Sequence, residues 1–264
     1  MSVREPRGSR RRLIIFRVLA GLAGAFFLFT LPQAISPWGA VTLSNMDGVT
    51  DPNLHRWSAA LAGGPDLGMA GLLLYLAWRP LAAPLALQWI ALAAIVFLMV
   101  NVPFVGVYIA VIAVPIILVL VAYPHPRELL TPPWTDGVRV PLFALGIVAA
   151  ALLLTDAGRS LAAQLRGADE LAANFDWASN AEHVVNTALA AVLVGMRRPG
   201  AQALGVMAAA VLAFMGAAAI SVPADPGSWG LIGGAAAIAI GVVLLVATLS
   251  PQRRSELAAQ DSLR

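Results

Sequence analysis

The sequence predicts an all-α integral membrane protein: eight transmembrane helices in two tandem four-helix repeats, joined by short loops. Three observations predict it. Hydrophobic residues make up 59% of the chain and charged residues 12%, against about 25% charged in soluble domains. The charges fall between apolar runs close to the ~20 residues that span a bilayer. Aromatic, proline and arginine landmarks also recur: Trp57 and Trp177 stand 120 residues apart, as do Pro103 and Pro223.

The apolar runs are read at 13–36, 55–78, 81–101, 104–123, 139–156, 178–196, 201–222 and 229–249. They are too long and continuous for the ~10-residue alternating strands of a membrane barrel, so helices must satisfy the backbone within lipid. The chain divides into a basic cytoplasmic N-terminus (1–12), a first four-helix repeat (13–123), a cytoplasmic linker (124–138), a second four-helix repeat (139–249) and a cytoplasmic tail (250–264).

The first run follows SRRRLIIF. Basic residues before an apolar run also describe a secretory signal. This run is too long for a signal core and ends in a poor cleavage site, Ala34-Ile35-Ser36, so an uncleaved first span is expected. The second run, HRWSAALAGGPDLGMAGLLL, carries Asp66 directly after Gly63-Gly64-Pro65. Proline removes a backbone donor and glycine weakens the preceding turn. The three residues are therefore expected to form a hinge at which the helix is kinked or interrupted. Arg79-Pro80 leads into the third run, and Arg198-Pro199 marks the matching place in the second half. The fourth run ends in PHPRELL and the eighth in PQRRSEL.

Between the fifth and sixth runs lies GRSLAAQLRGADELAANFDW. Leu161, Leu165, Ala168, Leu171 and Phe175 recur there at helical spacing, which predicts a separate short amphipathic helix lying on the outer membrane surface or over the bundle. The sixth run opens with WASNAEHVVNTALAA.

Every basic side chain is Arg, because the sequence has no lysine. Arg4, Arg7, Arg10, Arg11, Arg12, Arg79, Arg127, Arg139, Arg197, Arg198, Arg253, Arg254 and Arg264 fall on one side of an eight-span chain. Arg56, Arg159 and Arg166 fall on the other, among Asp47, Asp51, Asp169, Glu170, Asp176 and Asp225. The positive-inside rule then places both termini in the cytoplasm of a multi-pass cell-membrane protein, expected in a bacterial inner membrane. With four spans per unit the repeats share one orientation, related by an axis along the membrane normal.

The chain has no cysteine, which excludes disulfides and thiolate chemistry. Only His55, His125 and His183 could serve as imidazole ligands. No zinc-protease, phosphate-loop or nucleophile-elbow pattern occurs, so no metal site, cofactor or catalytic residue is assigned. The expected surroundings are the lipid bilayer and membrane-protein partners or a second copy, not nucleic acid.

Charged side chains inside a span are costly and tend to face protein or water. The repeat offset sets Asn186 opposite Asp66. Glu182 and Asn186 share a helix face, with His183 adjoining. Asp66, Glu182, His183 and Asn186 are the candidate substrate or proton site, forming an outward-opening polar cavity between the halves. The competing view makes Asp66 only a helix cap. The expected function is a small-solute transporter or permease. The alternatives are a non-catalytic subunit of a larger membrane complex and a membrane enzyme acting on a lipid, isoprenoid or quinone.

Overall fold

The structure, a computed structural model, describes residues 7–39 and 51–250. Eight principal helices follow one another: α1 (Arg7–Phe27), α2 (Arg56–Trp78), α3 (Pro84–Val105), α4 (Val114–Ala122), α5 (Val140–Arg166), α6 (Asp176–Leu193), α7 (Ala201–Ser221) and α8 (Gly230–Leu249). Short helices at Leu31–Ala34, Pro126–Leu130 and Glu170–Ala173 sit in the connections. No strand occurs among the described residues.

Six segments are long and apolar enough to cross a membrane, consistent with a helical membrane protein. They are Arg10–Trp38, Asn53–Trp78, Pro84–Val105, Val140–Arg166, Ala201–Ser221 and Gly230–Leu249. The other two principal helices differ. α4 belongs to a shorter apolar segment, Ile109–Ala122. α6 is uniformly apolar only in its last third, because Asp176, Asn180, Glu182, His183, Asn186 and Thr187 come before it.

Several boundaries depart from the sequence expectation. The first run is not one straight helix. After Phe27 it passes through a 3-10 turn, Leu28–Thr30, a short α-helical turn holding Pro32, Leu31–Ala34, and a second 3-10 turn holding Pro37, Ser36–Trp38. The fourth run is broken by Gly106, at φ 98°, into a 3-10 stretch, Val107–Ala113, and the nine-residue α4. The separate surface helix near residue 160 does not form. α5 runs on to Arg166 and stops at Gly167, whose left-handed backbone (φ 60°) closes the C-terminus. Its buried face there carries Ser160 and Gln164, while Leu165 is 70% exposed. Gln164 explains the difference. It donates to the Ala172 carbonyl at 2.9 Å and accepts from the Ala178 amide at 3.1 Å, tying α5 to the start of α6.

The helices alternate in direction. The upper end of the bundle holds residues 28–39, 51–55, 167–175 and 222–229. The lower end holds 79–83, 123–139 and 194–200. Trp38, Trp57, Trp177 and Trp229 lie at the upper end, and Trp57 and Trp229 meet edge to face at 5.2 Å. Trp78 and Trp134 are exposed near the lower end.

Helix packing follows a regular pattern. α1 packs on α2 and on α4, and α5 packs on α6 and on α8. α3 packs on α4, and α7 on α8. Across the middle α2 meets α6 and α7, and α3 meets α6 and α7. Exchanging α1–α4 with α5–α8 maps these pairings onto themselves. One pair breaks the correspondence: α6 packs on α7, whereas α2 and α3 scarcely touch. The inner helices are the more buried, and α1, α5 and α8 face outward.

Glycines set the closest approaches, as small residues do between membrane helices. A Cβ on Gly146 of α5 would lie 2.2 Å from the Ala191 carbonyl oxygen of α6. Gly216 of α7 and Gly234 of α8 face each other, each Cβ position within 2.6 Å of the other's carbonyl oxygen. At the lower end the linker is fastened from inside. Gln88 donates to the carbonyls of Glu128, Leu129 and Thr131, and the buried Arg198 guanidinium donates to those of Glu128, Thr131 and Pro132.

Candidate functional site

The gap between α2 and α3 is not filled by side chains. A cavity of about 570 Å³ occupies it, bounded by α2, α3 and α6, the upper end of α1 and the 107–116 segment. Asp66, Glu182, His183 and Asn186 all line it. At 1.5 Å per residue, Asp66 lies ~15 Å below the upper start of α2, and His183 ~10 Å below that of α6.

His183 is the centre of the cluster. Its Nε2 lies 3.5 Å from Asp66 Oδ1, and its Nδ1 lies 2.9 Å from Glu182 Oε2. The same Nδ1 is 2.7 Å from the Ser179 carbonyl oxygen one turn back. That shorter contact is the better-directed one, since Glu182 Oε2 makes no hydrogen bond of proper geometry. Asn186 donates through Nδ2 to Glu182 Oε1. Its own Oδ1, buried, accepts no protein hydrogen bond. The imidazole thus lies between the carboxylates of Asp66 on α2 and Glu182 on α6. A carboxylate buried beside a cation or a donor avoids the full cost of desolvation.

Asp66 therefore points into the protein. The anticipated interruption beside it is absent: α2 continues unbroken through Pro65. The glycines answer to packing. A Cβ on Gly63 would lie 2.4 Å from the Ala34 backbone nitrogen, and one on Gly64 would lie 2.6 Å from the Phe214 ring. Pro65 still leaves the Leu61 carbonyl without its helical donor.

Three further groups belong to the cavity that sequence reasoning did not single out as a site. Trp89 of α3 lines it and donates its indole N–H to the Asn186 carbonyl at 2.9 Å. At the upper rim His55, 2% exposed, is held from both sides. Its Nδ1 meets Asp176 Oδ2, and its Nε2 lies 3.1 Å from Glu170 Oε1. Ser58, one turn below, accepts from Asn180 Nδ2 at 3.0 Å. These contacts join the start of α2 to the start of α6. His55 and Asp176 are separated by 121 residues, so no local pattern marks the pair. The one signal was a histidine and an aspartate each just ahead of a repeated tryptophan, Trp57 and Trp177.

No group of three or more His, Asp or Glu side chains suited to a metal ion occurs among the described residues. The walls above the polar floor are largely apolar, with Phe27, Phe97 and Ile116 prominent. Comparison with family models, with curated proteins and with solved structures gives no match. The chemistry of the site must then be read from its own atoms. It can bind a small molecule in a pocket with an acceptor-rich floor and apolar walls, and it can pass a proton among Asp66, His183 and Glu182.

Proposed function

We propose that the chain is a small-solute carrier of the cell membrane, built from two duplicated four-helix units that bind their solute between them. In this reading all eight helices cross the membrane, both termini are cytoplasmic, and the upper end faces outward. The carrying observation is that Asp66 and His183 meet at 3.5 Å. These residues lie on α2 and α6, the counterpart helices of the two halves, at one depth within the apolar zone. Parallel-repeat transporters hold their sites at such an interface, near the midplane, and open it to each side by rocking one half on the other.

The exchange symmetry of the helix pairings supports duplication, and so does the start of α2 and of α6 one residue before Trp57 and Trp177. The surplus of Arg at the lower end supports the orientation. Below the cavity Leu72, Leu73, Leu76, Leu85 and Leu87 are buried together, as suits an outward-facing state whose inner gate is shut. Pro65, with its unpaired carbonyl partner, is a natural place for α2 to flex.

The test is access to the site from both sides. Ala93 lines the cavity, and the chain has no native cysteine. In Ala93→Cys, a membrane-impermeant thiol reagent should label the site from outside in intact cells and, more slowly, in inverted vesicles. Labelling from outside alone would reject a carrier.

A second reading, an enzyme acting on a lipid-soluble substrate, is favoured by one observation. The cavity reaches Phe26, Phe29 and Ile112, which are 43%, 83% and 39% exposed on the apolar surface. One-sided labelling of Ala93→Cys would support that alternative.

A further inference from the structure

We infer that the cavity takes an amphipathic organic cation, an ammonium group on an apolar body, with the ammonium seated among Asp66, Glu182 and Asn186. This names the solute class and rests on the binding site described above. Four observations carry it.

The floor holds unmatched buried acceptors. Asn186 Oδ1 and Glu182 Oε2 are buried and accept no hydrogen bond from the protein. The donors beside them are already engaged: Asn186 Nδ2 by Glu182, and the Trp89 indole by the Asn186 carbonyl. Leaving such acceptors unmatched is costly, so a ligand that donates is favoured over one that accepts.

The charge balance has the same sign. Asp66, Asp176 and Glu182 line the cavity, with His55 and His183 as the only cationic candidates and no arginine. Even with both imidazoles protonated, three ionised carboxylates leave an excess of negative charge. An anionic head group would be repelled, and a phosphate would find no guanidinium to hold it.

The walls suit the rest of such a ligand. Phe27, Phe97 and Trp89 present aromatic surface beside the acceptor floor, and aromatic faces attract desolvated cations. The exposed apolar rim at Phe29 and Ile112 gives a molecule partitioned into the bilayer a way in, apolar body alongside lipid and head group toward Asp66.

The test uses the full chain in lipid nanodiscs at pH 7 and three probes matched in length: 4-phenylbutylamine, 4-phenylbutanol and 4-phenylbutyrate. Calorimetric titration should find the amine about tenfold tighter than the alcohol, the scale of one charge-assisted contact, and the carboxylate weakest. Asp66→Asn and Glu182→Gln should each weaken the amine by about tenfold and leave the alcohol nearly unchanged. Asp66 is partly exposed and its amide is isosteric, so Asp66→Asn remains informative if Glu182→Gln proves unstable. Equal binding of amine and alcohol, preference for the carboxylate, or no binding of any probe overturns the assignment. Amine selectivity with one-sided labelling of Ala93→Cys would reject the carrier and keep the cation site. Two-sided labelling without amine selectivity would do the reverse.

Discussion

Asp66 of α2 and His183 of α6 lie 3.5 Å apart, in a cavity left where α2 and α3 scarcely touch, whereas α6 and α7 pack together. The gap between α2 and α3 makes the room, and α2 and α6 supply the polar groups.

The indole of Trp89 ties α3 to the floor of the cavity through the Asn186 carbonyl. Trp89→Phe keeps an aromatic six-membered ring but loses the donor and the five-membered ring that carries it, at a site 1% exposed. It should lower stability against SDS-induced unfolding by at least about 1 kcal/mol, the usual net worth of a hydrogen bond, with the lost volume adding to that. No change would mean that the bond is not formed in the membrane.

The glycines of the helix pairs should differ sharply in tolerance. Gly146→Leu drives a side chain into the Ala191 carbonyl and should cost about 1–3 kcal/mol or more as overpacking. A Cβ on Gly71 meets nothing within 4 Å. Gly71→Ala should therefore be neutral, or stabilise by about 0.5–1 kcal/mol through helix propensity. The same unfolding assay reads both.

Arg198 is 6% exposed and holds three linker carbonyls. Lysine has the charge but lacks the planar fork. Arg198→Lys should lose about 1.5–3 kcal/mol and admit protease to residues 126–137 in inverted vesicles. Unchanged protease resistance would show that the linker is held by other contacts.

Asp225, in the connection between α7 and α8, supplies a pH test. Burial pushes its carboxyl above the ordinary aspartate value, with the Trp57 backbone amide and the Arg56 charge pulling it part of the way back. A group raised on folding favours the native state while protonated, below its unfolded value, and that advantage fades as pH rises through its folded value. Asp225→Asn should therefore raise thermal stability at pH 7 and leave it unchanged near pH 3.5. A loss at pH 7 would show that the ionised carboxylate is stabilising instead.

Much of the bundle was legible because helix position follows hydropathy and landmark residues. Trp57 and Trp177 mark the first turns of α2 and α6, and Asp66 shares a cavity with Glu182, His183 and Asn186. What was hidden depended on contacts distant in sequence. Gly63-Gly64-Pro65 reads as a kink or an interruption, and nothing local reveals that Ala34 and Phe214 press on the glycines of an uninterrupted helix. Leu161, Leu165 and Ala168 read as part of a separate amphipathic helix because nothing local reveals that Gln164 is claimed by Ala172 and Ala178. The clasp of His55 by Asp176 and Glu170 spans more than a hundred residues.

The central claim is a cavity that opens and closes between two moving halves. The most direct measurement is the distance between spin labels on Phe29→Cys and Ala173→Cys, one at the upper rim of each half, by pulsed electron resonance in nanodiscs. The account predicts two distance populations, with the shorter one favoured by Asp66→Asn, which removes a charge from the closing interface. A single narrow distance, the same in both proteins, would contradict it.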